Sequence, residues 1–243
     1  MTKINNLEKY QEFVNPANGA SFDDGHLGGC NIYGDPAHEL PKMTKYLIDT
    51  FGIKSILDVG CGFGFHSKFF KDVFGCEICG VEGSAKVAEL SIIPDEIVCH
   101  DYTTGAFIPD KQYDLCWSIE FVEHVRDEYK HNFLQTFANC DHLVMTHAIP
   151  GQGGHHHVNE RNASFWINAL KEYGFEFLDD VTNHCRKLAE EDMNDMTTWL
   201  LDTNPDKPFR GPSAENYDTD EFRNKYHICY FVNNGLVFRK SSS

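Results

Sequence analysis

The sequence predicts an α/β fold with a doubly wound parallel sheet, and three observations predict it. Short apolar runs alternate with segments of helical periodicity from about residue 53 onward. One of these runs, "KSILDVG", passes directly into a glycine-rich turn and then a helix, the unit from which such sheets are built. The chain closes with "HICYFVNNGLVFRK", an alternating segment around Asn233-Asn234-Gly235 that reads as a hairpin and would add an antiparallel strand at the sheet edge.

The elements follow in order. Residues 1–37 are rich in Gly, Asn and Asp, show little periodicity, and form an N-terminal lid-like segment ahead of a domain spanning 38–243. "HELPKMTKYLIDTFGI" places Leu40, Met43, Leu47 and Phe51 on one helical face. "KSILDVG" is a buried strand, and "FHSKFFKDVFG" is a helix closed by Gly75. "CEICGVEG" is the second strand, "SAKVAEL" a short helix, "EIVCHD" the third strand and "YDLCWSIE" the fourth. Residues 122–139 read as one long amphipathic helix with Val122, Val125, Tyr129, Phe133 and Phe137 inward. "DHLVMTHAIP" is the fifth strand. Residues 162–173 form a helix with Asn162 as its cap and Gly174 at its end, and "FEFLDDV" is a further strand. A helical and loop insertion covers about 184–220, with an acidic exposed face at "EEDMND" and a Pro-rich loop over 204–219.

The bulk composition excludes several classes. A length of 243 residues with 41% hydrophobic content suits one α/β domain with additions. The formal net charge of −16, with basic residues scattered, would repel nucleic acid. No apolar run reaches the length of a membrane span or resembles a signal peptide. The nine cysteines are dispersed and odd in number, which reads as reduced thiols in a cytoplasmic setting. Cys76 and Cys79 form a C-x-x-C, but it lies in an apolar strand pattern with no second pair to complete a zinc site, so its thiols read as core.

"LDVGCGFGFH" carries the first chemistry. Gly60, Gly62 and Gly64 give G-x-G-x-G, with Phe65 where a dinucleotide fingerprint would need a third-position glycine. Asp58, two residues ahead, suits a cationic amino group better than a pyrophosphate, which opposes a dehydrogenase. Glu82 at the end of the second strand can accept from ribose hydroxyls, and Asp101 at the end of the third can bind an adenine amino group. Three acids at three successive strand ends, beside a glycine loop, point to S-adenosylmethionine (SAM).

With those residues in view, the chain from about residue 38 resembles the class I SAM-dependent methyltransferases. "LDVGCGFG" is similar to their first motif, "GVEGS" to the ribose turn, "HDYT" to the adenine-side turn, and "YDLCWSIEFVEHV" to the fourth-strand motif. The resemblance implies a Rossmann-like seven-stranded sheet whose last strand is antiparallel. It also implies that Asp58, Gly60, Cys61 and Gly62 line the methionine part, that Glu82 and Gly83 hold ribose, and that Asp101 and Tyr102 flank adenine. Ser118, Ile119 and Glu120 would lie along the cofactor near the methyl group. "GGCNIYGDPAHELP" and "MTHAIPGQGGHHHVN" look like a subgroup of small stand-alone members associated with glycan and small-molecule modification.

An acceptor hydroxyl must be aligned with the methyl donor and must lose a proton. The strand-four end supplies Glu120, Glu123 and His124, strand five supplies His147, and the next loop supplies His155, His156, His157, Asn159 and Glu160. The reading preferred is O-methylation of a sugar hydroxyl or similar small polar acceptor, with a histidine as general base drawn from His147, His156, His157 or His124. Metal coordination by His155, His157 and Glu120 or Glu160 is the minority reading. N-methylation of a small molecule, and a binding protein that has lost catalysis, are the alternatives.

Overall fold

A computed structural model describes residues 21–31, 40–203 and 230–241. Seven strands form one mixed sheet in the order β5-β4-β3-β6-β7-β9-β8. They are β3 (Ser55–Val59), β4 (Glu77–Glu82), β5 (Ile97–Cys99), β6 (Tyr113–Ser118), β7 (Cys140–Met145), β8 (Phe175–Phe177) and β9 (Leu236–Lys240). The first five run parallel, and β9 is antiparallel to both β7 and β8. A separate antiparallel pair, β1 (Ser21–Asp23) with β2 (Gly29–Asn31), precedes the sheet.

Side chains alternate between two buried layers, as the period of a strand requires. Leu57, Cys116 and Phe238 face a layer with Phe133, Phe137 and Trp166. Ile56, Trp117 and Val237 face the other, with Met43, Phe70 and Phe231. Helices α4 (Lys130–Phe137) and α5 (Ala163–Glu172) cover the first layer, while α1 (Pro41–Phe51), α2 (Phe65–Phe74) and α6 (Asp179–Thr203) cover the second. Burial on both faces explains why the strands read as near-continuous apolar runs. Each fully buried large side chain contributes about 1.5–3 kcal/mol.

Long-range polar contacts fix the joints. Asp192 is buried, and its carboxylate accepts from the Lys42 and Met43 amides at 3.0–3.1 Å. It therefore caps α1, whose own N-cap position, Leu40, has no side-chain acceptor. Asp192 thus lies inside the molecule, not on the solvent face expected for "EEDMND". Asp114 accepts from the Lys54 and Ser55 amides at 2.7 and 2.8 Å, pinning the start of β6 to that of β3.

Four local expectations need correction. The expected helix over 122–139 is two short 3-10 turns, Val122–His124 and Asp127–Tyr129, followed by α4. The apolar spacing holds, since Val122, Phe133 and Phe137 are buried. The backbone is diverted because the Glu123 carbonyl accepts from the Val158 and Asn159 amides, and the Val125 carbonyl from Asn159 Nδ2. The fifth strand ends at Met145. β8 stops at Phe177, and Asp179 already begins α6. Finally, Asn233-Asn234-Gly235 does not turn a hairpin. A helical turn, α7 (Tyr230–Asn234), places Phe231 in the core, and its carbonyl accepts from Gly235 N at 2.9 Å. The antiparallel strand that follows sits one place in from the edge, and β8 is the edge strand. Residues 227–229, the Pro-rich loop and residues 32–39 of the "GGCNIYGDPAHELP" motif lie outside the described residues.

Candidate active site

A cavity of about 370 Å³ opens where the carboxyl ends of β3, β4 and β6 come together. The register puts Asp58 beside Gly80 and Trp117, so the loops leaving these strands emerge at one level. Its floor is the turn after β3. Gly60 has φ +79°, and a Cβ there would stand 2.6 Å from the Phe121 ring. Only glycine allows that backbone beside that aromatic wall.

Glu82 organises the same turn. Its Oε2 accepts from Gly62 N at 3.0 Å and its Oε1 from Ser84 N at 2.8 Å. Burial raises its pKa above the ordinary carboxylate value, against the opposing pull of those amides. Ser84 caps α3 (Ala85–Glu89) by accepting from Val87 N. At the next strand end, Asp101 accepts from Thr103 N at 2.8 Å and meets His26 Nε2 at 3.1 Å. Partial burial pushes its pKa up, but the Thr103 amide and His26 outweigh it, and the net shift is downward.

The segment from Asp24 to Cys30 roofs the cavity. Ser84 Oγ donates to the Asp24 carboxylate. Leu27 covers Gly83, where a Cβ would meet Leu27 Cδ2 at 2.9 Å. The His26 carbonyl pairs with His156 Nε2 at 3.1 Å. Asp24, His26, Leu27, Gly28, Gly29 and Cys30 all contribute to the wall.

The opposite end is built from the β6 exit and the loop after β7. Thr146 Oγ1 accepts from Glu120 N and donates to Glu120 Oε1, each at 2.8 Å. Glu160 gathers the glycine loop, accepting from the Gly151 and Gly153 amides at 2.7 Å. Those amides, chief among the influences on it, lower the Glu160 pKa. The clamp of Val158 and Asn159 on the Glu123 carbonyl brings His157 against His124, with ring centroids 5.1 Å apart. Burial, reinforced by His157 and His156, drives the His124 pKa down to about 4, so its imidazole is neutral near pH 7. One ligand-capable atom from each of Glu123, His124 and His157 lies within 4.8 Å of the others.

Among the described residues, the two non-glycine residues with left-handed φ are Glu120, at 52°, and His156, at 56°. Both line this cavity. Strained backbone of this kind persists only where the surrounding structure holds it, and it gathers at functional sites.

Residues 57–143 match the family model described as a methyltransferase domain. Over that stretch the chain is similar to methyltransferase domains, and its seven-stranded sheet is that of a class I methyltransferase fold. The protein described as "Probable tocopherol O-methyltransferase, chloroplastic" from Oryza sativa subsp. japonica is 32% identical over 87 residues. That stretch is 31% of this chain and 23% of the rice protein, so the match spans about a quarter of that relative. Similar solved structures include the O-methyltransferase of a trans-AT PKS multienzyme of Brevibacillus brevis in complex with S-adenosyl-L-homocysteine. It is 16% identical with TM-score 0.48, covering 82% of this chain and 72% of that one. A SAM-dependent methyltransferase from Archaeoglobus fulgidus is 19% identical with TM-score 0.45, covering 59% and 71%.

The cavity wall includes Gly60, Gly62, Glu82, Gly83, Asp101, Tyr102, Glu120, His124 and His156 from the residues singled out in the sequence. The others lie behind it. Asp58 is 3% exposed, and its Oδ2 accepts from Ser67 Oγ at 2.6 Å, the helix α2 serine. Burial raises its pKa to about 7, with Ser67 opposing and Glu82 adding to the rise. Cys61 turns its sulfur toward Gly80. Ser118 Oγ donates to the Val59 carbonyl, and Ile119 packs against the second core layer. His147 is buried away from the cavity, with neither ring nitrogen hydrogen-bonded. His157 packs against His124 and is not part of the wall.

Sequence reasoning did not anticipate Phe121 and Leu27, the two apolar walls over Gly60 and Gly83. Their signal was indirect: each glycine that cannot accept a Cβ implies a neighbour pressed against it. The C-x-x-C thiols divide between the layers, Cys76 in the second and Cys79 against the first. Burial raises the pKa of both.

Proposed function

We propose that the protein is a SAM-dependent methyltransferase that methylates oxygen on a small polar acceptor, a sugar hydroxyl being the favoured substrate. The observation that carries this reading is the two-ended cavity. Its glycine floor, Glu82 and Asp101 suit the cofactor, and Glu120, His124 and His156 gather at the other end. Gly60 and Gly62, both with left-handed backbone, leave the turn bare of side chains where it lines the cavity, which fits a ligand lying close against the backbone. Gly60, Gly62, Glu82, Gly83, Asp101 and Tyr102 would hold the cofactor, with Asp58, Cys61, Ser118 and Ile119 shaping the wall from behind. The printed name of the rice relative, an O-methyltransferase, supports oxygen as the acceptor atom.

When bound, SAM would supply an electrophilic methyl group, a C–O bond forming at the acceptor as the C–S bond breaks and a neutral thioether is left. His156 is the assigned base. Its Nε2 faces the His26 carbonyl, which can only accept, so that nitrogen carries the hydrogen and Nδ1 carries the lone pair. The acceptor proton passes to Nδ1. The strap from Asp24 to Cys30 excludes water from the cofactor end.

His156→Gln tests this. SAM affinity by titration calorimetry should stay within about twofold, while turnover of a methylatable sugar should fall about 100-fold or more. Unchanged turnover would remove His156 from the mechanism. Tight SAM binding with no product from any hydroxyl acceptor would overturn the O-methylation reading.

A further inference from the structure

We infer that Glu123, His124 and His157 form a binding site for one divalent transition-metal cation of the zinc, cobalt or manganese type. The cluster is a carboxylate and two imidazoles brought together from two separate loops, with donor atoms within 4.8 Å of one another. Glu123 is 0% exposed, yet neither of its carboxylate oxygens has a hydrogen-bond partner. The Nδ1 atoms of His124 and His157 are likewise buried without a hydrogen-bond partner, the Glu160 carboxylate standing 3.6 Å from His157 Nδ1. A native interior almost always satisfies such groups, and an isolated buried carboxylate is strongly unfavourable. Three buried side chains with unmet hydrogen-bonding capacity, one donor atom of each converging on one place, are accounted for together by a bound cation.

The surroundings are arranged to hold the three in place. The Glu123 carbonyl takes both the Val158 and Asn159 amides, at 2.9 and 3.0 Å, and that clamp fixes the separation of the two histidines along the chain. Gly154, at φ +151°, leaves room for the His157 ring, since a Cβ there would lie 2.4 Å from Nε2. On the other side, Gly28 of the strap lies against His124, its Cβ position 3.0 Å from Nδ1. Glu120 is the charged neighbour that acts most strongly on Glu123, and a dication beside both carboxylates relieves their repulsion.

The donor set selects the ion. Two imidazoles with one carboxylate suit zinc and its first-row neighbours, whereas magnesium prefers an all-oxygen shell. Three protein ligands leave coordination positions open. His124 lines the cavity, so the site borders its acceptor end. There a dication would stabilise the oxyanion that forms as a hydroxyl loses its proton to His156, a role that rests on the methyltransferase reading above.

The test reads metal binding directly, without methyl transfer. Protein bearing no polyhistidine tag is stripped with chelator, dialysed against Co2+, and examined by elemental analysis and visible absorption. Wild type should take up about one equivalent and show the ligand-field bands of a mixed nitrogen and oxygen site. Glu123→Gln and His157→Gln, both shown folded by circular dichroism, should each weaken Co2+ binding about tenfold or more. His131→Ala, an exposed histidine on α4, should retain full binding. Folded wild type with no Co2+ uptake would overturn the site, as would full retention by both cluster variants, which would place the metal elsewhere. Binding of Mg2+ more tightly than Co2+ would overturn the donor assignment. Metal-free protein that still methylates its acceptor at full rate would remove the catalytic role while leaving the site and the methyltransferase reading intact.

Discussion

Asp58 shows how one buried side chain can carry a functional motif and a stability cost together. Its carboxyl is held protonated up to about pH 7 by burial, against an ordinary value of 3.8. Between those values the folded chain keeps a proton that the unfolded chain releases. The stabilisation is therefore fully present below the unfolded value and is lost as the pH rises through about 7. Across that window the loss should reach roughly 4 kcal/mol. Urea unfolding at a series of pH values measures it, and Asp58→Asn should flatten the profile. Equal slopes for the two proteins would show that Asp58 does not titrate in this window. From the sequence, Asp58 is visible as an acid two residues before a glycine turn. That it faces Ser67 instead of the cavity depends on the rotation of α2, which no local pattern encodes.

At the scale of elements, the turn from β3 into α2 is both the part most legible in the sequence and the part least tolerant of change. Gly64 has φ +85°, and a Cβ there would lie 2.4 Å from Ile93 Cγ1. Gly64→Ala combines an unfavourable backbone region with overpacking and should destabilise the fold by about 2–4 kcal/mol, read from the urea midpoint. A shift under about 0.5 kcal/mol would mean that the 91–93 turn yields freely. The segment after β6 is the contrasting case. Its apolar spacing is helical and its buried residues fall where that spacing puts them, yet the chain does not continue as one helix. Asn159 and Val158 take carbonyls that a helix would use internally, and those partners lie more than thirty residues away. Periodicity reports which side chains go inside, and it is silent about which distant amide competes for a backbone oxygen. The same competition makes the His124–His157 contact, so the composition of the histidine cluster was legible and its grouping was not. His147 and His157 look equivalent in the sequence, but one is buried apart from the cavity and the other joins His124.

For the whole molecule, the strap over the cavity and the sheet beneath it are joined by a few specific contacts: Ser84 with Asp24, Leu27 on Gly83, and His26 with Asp101 and His156. We propose that this segment works as a lid. Removing residues 1–35 should leave the sheet folded, since none of its strands comes from that stretch. The same deletion should weaken SAM affinity about tenfold or more by opening the cofactor end to water. Calorimetric titration of the shortened protein checks this, and unchanged affinity would assign the strap no part in binding. The doubly wound parallel sheet was legible because strand and helix patterns alternate cleanly, whereas the number of strands, seven, was implied by the resemblance of the motifs.

The place of β9 in the sheet bears on how the protein comes into being. This strand is inserted between β7 and β8, hydrogen-bonded to both, although both precede it in the chain. While a ribosome is still translating residues 178–235, β7 has an unpaired edge and β8 has no neighbour to hold it. The nascent chain must wait for Leu236 to Lys240 to emerge before the sheet can close. Until then an apolar strand edge stands open to other polypeptides, which makes this interval the one in which a chaperone would matter most.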